Sequence, residues 1–191
     1  MERLLEYLTL RGEGMKKAVS VFLCDNITRK DVLALIDWMS NEHITKYLNE
    51  DNNIVDQLKY LLWYSDDAML PFQFKRFGKF YFVRLENNKP IGFISLKEKK
   101  KDNYEVVYVI GQEELWGHGL GTEALRQALY TIFLLFRAKS LVAMVHKDNI
   151  RSIRSVNKCN FQIVDESSVY IKFKIEDLDY LQYIKKKKNC D

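Results

Sequence analysis

Three glycines stand at alternate positions, Gly117, Gly119 and Gly121, directly before a stretch whose apolar residues have helical spacing. The whole chain contains only 8 glycines in 191 residues, so this cluster is a marked local concentration. Glycine loses more backbone entropy on folding than other residues do, so a cluster of glycines needs a compensating reason. We expect a backbone that comes close to another group at this point.

The residues on either side predict a loop between a strand and a helix. The alternating stretch NYEVVYVIG precedes the glycines, and residues 122–136 follow with the spacing of an amphipathic helix. The first N–H groups of a helix have no intrahelical partner and lie at the positive end of its dipole, so such a loop suits an anion. An ordinary turn is the alternative. A P-loop lysine is missing, and a Rossmann crossover does not fit a strand that belongs to a meander.

The rest of the chain predicts a single α/β (α+β) domain over residues 1–191, with a mixed, mostly antiparallel sheet flanked by helices. The predicted order is β-α-α-β-β-β-α-β-α-β-β. The predicted strands are 18–25, two around a turn at Asn87 and Asn88 within 79–99, 103–111, 140–146, 161–166 and 169–175. The other predicted helices are 28–41, 54–64 and 150–160, with an extra N-terminal helix over 1–14 and a C-terminal helix and basic tail over 176–191.

Local signals support two of these helices. Thr28 and Asp31 have the spacing of a capping box, and Asn149 is placed to cap the helix that follows it. The first helix has a buried stripe at Val32, Leu35, Ile36 and Met39. The tryptophans Trp38 and Trp63 are expected in the core rather than on a substrate platform.

Composition excludes several classes of protein. The chain is 47% hydrophobic and 29% charged, and no apolar run reaches the roughly 20 residues of a membrane span. The N-terminus lacks the apolar core of a signal peptide. A net charge of +4 and a lysine tail are too weak to argue for nucleic acid. Three widely spaced cysteines, Cys24, Cys159 and Cys190, indicate reduced thiols in the cytoplasm, and no pair has metal-ligand spacing.

The glycine loop, WGHGLGTEAL, resembles the acetyl-CoA pyrophosphate loop of the GNAT N-acetyltransferase superfamily, whose pattern is Gln/Arg-x-x-Gly-x-Gly/Ala. Gly119 and Gly121 match that pattern. Trp116 stands at the Gln/Arg position, as is common in the ribosomal-protein N-terminal (Rim-type) branch, and His118 stands where that branch usually has Lys or Arg. Residues 149–161 resemble the Asn-x-x-Ser…Lys-x-Gly-Phe helix of the same branch, and DVLALIDWMSNEHITKYL resembles its first helix. The resemblance covers roughly residues 17–175.

The three histidines, His43, His118 and His146, are scattered along the chain, so no metal site is expected. The resemblance implies a GNAT fold and a set of residues that bind acetyl-CoA. In this family the strand before the loop splays from its neighbour, the gap holds the pantetheine arm, and strand N–H groups contact the acetyl carbonyl. By resemblance this is the backbone around Val109 and Ile110, whose side chains are otherwise core. Asn149 would bond the pantetheine. The implied cofactor-binding loop is Trp116, Gly117, His118, Gly119, Leu120, Gly121 and Thr122.

The resemblance also implies two candidate catalytic residues. Glu105 matches a position where the family often has a glutamate that acts through a water molecule. The alternative interpretation is that Glu105 is only a solvated carboxylate on a strand. The tyrosine that many members use to protonate the thiolate falls at Val156, so that device is absent. Ser152, which matches the serine of Asn-x-x-Ser, is the substitute acid and a further cofactor contact. A serine one turn into a helix is otherwise often a local capping group.

These residues predict an acetyl-CoA-dependent N-acetyltransferase in which an amine attacks the thioester directly. A lysine-like amine with a pKa of ~10.4 needs roughly 4.6 kcal/mol to lose its proton at pH 7, whereas an α-amine near ~8 needs about 1.4 kcal/mol. We therefore expect a protein N-terminus or a similarly acidic small-molecule amine as acceptor, with polyamines and aminoglycosides as alternatives. An acyl-CoA-binding module without catalysis is an alternative of another class. A homodimer is a further expectation, and Met15 is a candidate initiator because purine-rich codons for Arg-Gly-Glu-Gly precede it.

Overall fold

In the part of the chain that the structure describes, seven strands form one sheet in the spatial order β1-β2-β3-β4-β5-β7-β6. The computed structural model describes residues 20–48 and 53–188, so the predicted helix over 1–14, Met15 and the last three residues lie outside it. The strands are β1 Val21–Cys24, β2 Lys79–Leu85, β3 Pro90–Lys100, β4 Asn103–Ile110, β5 Ser140–His146, β6 Gln162–Glu166 and β7 Tyr170–Glu176.

The helices fill the connections between these strands. Their bounds are α1 Arg29–Ser40, α2 Glu42–Thr45, α3 Ile54–Tyr64, α4 Leu70–Phe74, α5 Leu120–Tyr130, α6 Ile150–Lys158 and α7 Asp177–Lys188. The predicted mixed α/β class is confirmed, and the short helices α2 and α4 are additions to the predicted order. None of the helices in the described part of the chain combines the length and the apolar character that a bilayer crossing needs.

Two predicted elements had wrong bounds. The helix expected over 122–136 begins two residues earlier, because Gly119 adopts a left-handed conformation and acts as its N-cap. Regular α-helix ends at Tyr130 and continues as a π-helical turn over Thr131–Leu135, before Arg137 adopts a φ of 52°. The strand expected over 18–25 covers only Val21–Cys24 within the described residues.

Local sequence signals explain where other elements begin. Thr28 caps α1 in a reciprocal capping box, in which its side chain accepts from the Asp31 N–H and the Asp31 carboxylate accepts from the Thr28 N–H at 2.7 Å. The β2–β3 hairpin turns at Asn88, whose φ is 65°. Asparagine tolerates this left-handed region better than most residues do, which explains why the predicted turn forms there.

The sheet has an apolar layer on each face. Helices α5, α6 and α7 cover one face, and α1, α3 and α4 cover part of the other. Trp38 lies in the second layer and is only 6% exposed, as expected. Trp63 is 83% exposed, so its predicted place in the core was wrong. Helix α3 buries Leu58 and Leu62, and the residue after Leu62 is turned about 100° away from that face.

Candidate active site

The sheet opens between β4 and β5. These two strands run parallel and pair at only three positions, Asn103 with Ser140, Tyr104 with Leu141 and Glu105 with Val142. β4 continues to Ile110 without further pairing to β5, and both strands are fully described. The gap predicted between the strand before the glycine loop and its neighbour is therefore present.

Backbone groups of β4 alternate between its β3 partner and this gap. The Gly111 N–H donates to the Ile91 carbonyl oxygen of β3 at 2.8 Å. Because both polar groups of a strand residue point to the same side and alternate along the strand, the Val109 N–H also points to β3. The backbone groups of Tyr108 and Ile110 then face the gap. The Ile110 carbonyl oxygen accepts a hydrogen bond from Trp116 Nε1 at 2.7 Å, which leaves the Ile110 N–H directed into the gap.

The glycine loop forms the wall at the end of β4. Gly117 and Gly119 have φ angles of 83° and 80°, a region that other residues rarely adopt. The first intrahelical hydrogen bond of α5 runs from the Glu123 N–H to the Gly119 carbonyl oxygen at 3.0 Å. The N–H groups of Leu120, Gly121 and Thr122 precede it and therefore have no intrahelical acceptor. This places a concentration of backbone donors at the start of α5.

The glycines differ in what they allow. An added Cβ at Gly117 or Gly119 would meet nothing within 4 Å, so backbone conformation and not crowding selects glycine there. Gly121 has no positive φ, and an added Cβ would meet Ile110 at 3.6 Å and Tyr108 at 3.7 Å, which are ordinary contacts. Two of the three glycines thus set the shape of the loop, whereas the third only brings α5 close to β4.

A cavity of about 250 Å³ lies between this loop and α6, and we name it the loop-side cavity. Gly117, Gly119 and Gly121 line it on one side, and Asn149 and Ser152 line it on the other. The predicted cofactor residues Val109, Ile110, Trp116, Leu120 and Thr122 also line it. His118 is exposed and lies outside this lining.

The predicted N-cap of α6 is confirmed in its local geometry. The Asn149 side-chain oxygen accepts from the Ser152 N–H at 3.2 Å, as an N-cap side chain does. Ser152 therefore uses its backbone N–H, and not its hydroxyl, in the cap. Its side chain is left to face the cavities that it lines.

A second cavity, of about 260 Å³, lies on the opposite side of the β4–β5 opening, and we name it the sheet-side cavity. Its lining includes Glu105, whose carboxylate pairs with Lys99 at 3.0 Å, and Lys97 on β3. The rings of Tyr47, His146 and Tyr170 form another wall. The His146 ring lies 5.1 Å from that of Tyr47 and 5.4 Å from that of Tyr170.

The two cavities share part of their lining. Tyr108, Ser152, Asn149, Tyr47 and Leu48 line both of them. The predicted catalytic residues are thus divided, because Ser152 faces both cavities and Glu105 lines only the sheet-side cavity. Val156, at the position of the missing tyrosine, is fully buried in the core.

Tyr108 is a candidate functional residue that the sequence patterns did not single out. Burial raises the pKa of its phenol to about 12, although hydrogen bonds with Ser152 and Ser155 act in the opposite direction. The phenol therefore stays protonated at neutral pH and can act as a hydrogen-bond donor. Its place in an alternating strand indicated only a core residue, since the meeting of β4 with α6 is not a local signal.

A layer of side chains covers the mouth of the loop-side cavity. The Arg151 guanidinium lies 3.6 Å from the centre of the Trp116 ring, and the His43 ring lies 5.5 Å from the same ring. His43 Nδ1 also contacts a Glu113 carboxylate oxygen at 2.6 Å. These contacts connect α2, the loop and α6 around one tryptophan. Trp116 thus acts as a structural anchor of the site as well as a lining residue.

The geometry corresponds to a known family of enzymes. The model of the Acetyltransferase (GNAT) domain matches residues 23–162, which is most of the chain. This protein belongs to the GNAT acetyltransferase family. It is accordingly an acyltransferase, and its seven-stranded sheet with flanking helices is the fold of that family.

The following solved structures with this fold are distant in sequence from this GNAT protein. A spermidine N-acetyltransferase from Vibrio cholerae is 17% identical, with a TM-score of 0.69, and the match covers 87% of this chain and 99% of the other. A ribosomal-protein-S5-alanine acetyltransferase from Vibrio fischeri is 15% identical, with a TM-score of 0.66 and coverage of 87% and 97%.

An aminoglycoside acetyltransferase in complex with coenzyme A is 14% identical, with a TM-score of 0.65 and coverage of 86% and 98%. Among curated proteins, no sequence matches this chain. The similarity to solved structures supports the fold and does not select one branch of the family. Within residues 20–48 and 53–188, no group of three or more His, Cys, Asp or Glu side chains is placed to hold a metal ion.

Proposed function

We propose that this protein is an acetyl-CoA-dependent N-acetyltransferase that acts on the α-amine of a protein N-terminus or on a small-molecule amine of similar acidity. The observation that carries this proposal is the meeting of two cavities at Tyr108 and Ser152, where β4 and β5 separate. A donor bound on the loop side and an amine bound on the sheet side would meet at this opening. Direct transfer requires only that the two reactants be held in contact.

The loop-side cavity suits the polyanionic end of acetyl-CoA. Its lining includes the N–H groups at the start of α5, which have no intrahelical acceptor, and the cations Arg151, Arg154 and Lys158. Among the described residues that line it there is no Asp or Glu. Backbone donors at a helix N-terminus bind phosphate groups well. Bound acetyl-CoA supplies the thioester that the amine attacks.

The residues of the chain supply positioning and hydrogen bonds. The Ile110 N–H points into the gap and would donate to the acetyl carbonyl oxygen as negative charge develops on it. Asn149, at the start of α6, would hold the pantetheine arm. Ser152 lines both cavities and would donate a proton to the departing sulfur. Glu105 would accept the proton of the amine through a water molecule from its place in the sheet-side cavity.

The sheet-side cavity supports an α-amine over a polyamine. Among its described lining residues, Lys97 and Lys99 provide two positive charges and Glu105 provides one negative charge. Glu105 is the one carboxylate among these described lining residues, so a polycation would find a single acidic partner there, which matches the single positive charge of a peptide N-terminus. The resemblance of the glycine loop and of the α6 pattern Asn-x-x-Ser to the Rim-type branch agrees with this choice. The solved relatives that act on spermidine and aminoglycosides make both compounds necessary comparisons.

The test has two stages with the purified protein. A thermal shift with coenzyme A is expected first, and absence of binding would remove the whole proposal. Acetyl-CoA consumption is then measured with a set of N-terminal peptides, with spermidine and with an aminoglycoside. Turnover with a peptide at pH 7 and little with spermidine is the expected result. Turnover with spermidine alone would overturn the proposed acceptor class and leave the acetyltransferase activity intact.

A further inference from the structure

Three cations lie on one face of α6 and line the loop-side cavity. Arg151, Arg154 and Lys158 are three and four residues apart, a spacing that places side chains on the same face of a helix. All three line the cavity, and none of the residues in that lining is Asp or Glu. The described part of this wall therefore has a strong excess of positive charge.

Two of these cations have no hydrogen-bond or ion-pair partner among the described residues. Arg151 stacks on the Trp116 ring at 3.6 Å. The side chains of Arg154 and Lys158 make no hydrogen bond or ion pair within residues 20–48 and 53–188. The glycine loop supplies no cation of its own to this cavity, since His118 is exposed and lies outside the lining. The positive charge that faces this cavity therefore comes from α6.

The second half of α6 lies against the start of α5. The Thr122 hydroxyl donates to the Ser155 hydroxyl oxygen at 3.1 Å, and Cys159 Sγ approaches the Thr122 carbonyl oxygen at 3.7 Å. Arg154 and Lys158 flank Ser155 on the helix, so both lie beside the donors of the first turn of α5. Ser152, one turn earlier, lies at the opposite end of the wall, where the two cavities meet.

This arrangement assigns each reactive or anionic group of coenzyme A to a different part of the cavity. The thioester belongs near Ser152, and the pyrophosphate belongs on the N–H groups of the glycine loop. The remaining anion is the phosphate on the 3′ position of the ribose, which carries close to two negative charges at neutral pH. We propose that Arg154 and Lys158 bind this 3′-phosphate and make the enzyme select coenzyme A over 3′-dephospho-coenzyme A. This inference rests on the proposed use of acetyl-CoA.

The chemistry of the pair suits this ligand. Arginine offers a fork of N–H donors that matches phosphate oxygens, and lysine adds a compact positive charge. Helix α6 is held in place by its Asn149 cap and by the Thr122–Ser155 contact, so the two cations are presented from a fixed element. A phosphate that reaches this face would gain charge-assisted contacts and would not have to displace an existing partner within the described residues.

The experiment measures the affinities of coenzyme A and of 3′-dephospho-coenzyme A by isothermal titration calorimetry. Wild-type protein should bind the dephospho form roughly 30-fold more weakly, the change expected from losing charge-assisted contacts at a partly exposed site. The Arg154→Ala/Lys158→Ala variant should bind coenzyme A about as weakly as wild type binds the dephospho form. The affinity of this variant for the dephospho form should be nearly equal to that of the wild type. A double-mutant cycle that combines the substitution with removal of the 3′-phosphate then gives a coupling energy between the two.

A matched control removes two positive charges from a surface outside both cavities. Lys185 and Lys186 are exposed on α7 and line neither cavity, so Lys185→Ala/Lys186→Ala should keep the full discrimination. Far-UV circular dichroism checks the fold of each variant, and Arg154→Gln/Lys158→Gln replaces the alanine pair if that pair is unstable.

Two results would overturn the inference while the proposed function stands. The first is equal affinity of wild type for both ligands. The second is discrimination that persists in the folded Arg154/Lys158 variants. A folded wild-type protein that binds neither ligand would overturn the inference together with the proposed function.

Discussion

The Tyr108 hydroxyl donates a hydrogen bond to the backbone carbonyl oxygen of Ser152 at 3.3 Å, and this contact joins β4 to the first turn of α6. The two residues are 44 positions apart in the chain. They lie together where the loop-side and sheet-side cavities meet. The contact therefore fixes the spacing between the strand and the helix on either side of the candidate reaction centre.

Replacing Tyr108 by phenylalanine should change the alkaline stability of the protein. Burial raises the pKa of the folded phenol from 10.0 to about 12, so the folded protein keeps a proton that the unfolded chain loses. The associated stability is fully present below pH 10 and is lost as the pH rises through 12. The wild type should lose about 2 kcal/mol more than Tyr108→Phe does between pH 10 and pH 12. Urea unfolding at several pH values measures this, and equal losses in the two proteins would contradict it.

The same variant tests the role of the phenol in catalysis. Because the phenol stays protonated near neutral pH, we expect it to act as a hydrogen-bond donor and not as the proton donor. Tyr108→Phe should then lower kcat by about tenfold, the effect of one lost hydrogen bond, with an unchanged shape of the pH–rate profile from pH 6 to pH 9. A limb of the profile that disappears in the variant would show that Tyr108 itself titrates during the reaction.

Replacing Ser152 by alanine should lower kcat and leave the affinity for acetyl-CoA nearly unchanged. The Ser152 backbone makes the contacts with the Asn149 side chain and with the Tyr108 hydroxyl, and the Ser152 hydroxyl adds only a hydrogen bond with Tyr108, so the alanine variant should keep the fold. General acid catalysis contributes at most ~10²-fold here, because a thiolate is already a good leaving group. Steady-state kinetics measure the effect, and Ser152→Thr should restore part of the rate. Weaker cofactor binding with intact kcat would instead identify Ser152 as a binding residue.

Replacing Glu105 by glutamine should slow the reaction more for a basic amine than for an α-amine. The more basic acceptor depends more on a group that takes its proton, and Glu105 is the carboxylate in the sheet-side cavity lining. Lys99→Gln is the matched control, since it breaks the same 3.0 Å ion pair but keeps the carboxylate. Rates with a peptide and with a lysine-like amine should diverge only in Glu105→Gln. Equal effects of the two variants would assign the role to the ion pair.

The glycines of the loop should differ in their tolerance of alanine. Gly119→Ala should destabilise the protein by roughly 1–2 kcal/mol, because the alanine would have to adopt the φ of 80° that Gly119 has, and a Cβ is strained there. The same substitution should weaken binding of coenzyme A. Gly121→Ala should be neutral or slightly stabilising, since it lies in a helix with ordinary contacts available. Thermal denaturation and coenzyme A titration of the two variants provide the comparison. Equal destabilisation would show that close packing at α5, and not backbone conformation, selects these glycines.

Sequence patterns located the elements of the site that depend on a few neighbouring residues. The Thr28 capping box, the Asn149 cap and the turn at Asn88 were all predicted, because each follows from short-range preferences of a side chain or of the backbone. The glycine spacing likewise predicted a loop at the start of a helix. It did not predict that α5 starts at Leu120, since a left-handed Gly119 can begin a helix without a polar cap.

The sequence by itself thus determined the order of the strands and of the longer helices, the loop and the caps, because these are set by contacts between residues close in the chain. The tertiary structure decided which distant residues share a wall. Tyr108 meets Ser152, and Arg154 and Lys158 face the same cavity as the glycines, only because β4 and β5 separate after Glu105 and α6 packs against α5. The exposure of Trp63 was also decided by the tertiary structure, because burial of a residue on α3 depends on which face of the helix meets the sheet. Such contacts depend on strand register and helix packing, which short-range preferences do not specify.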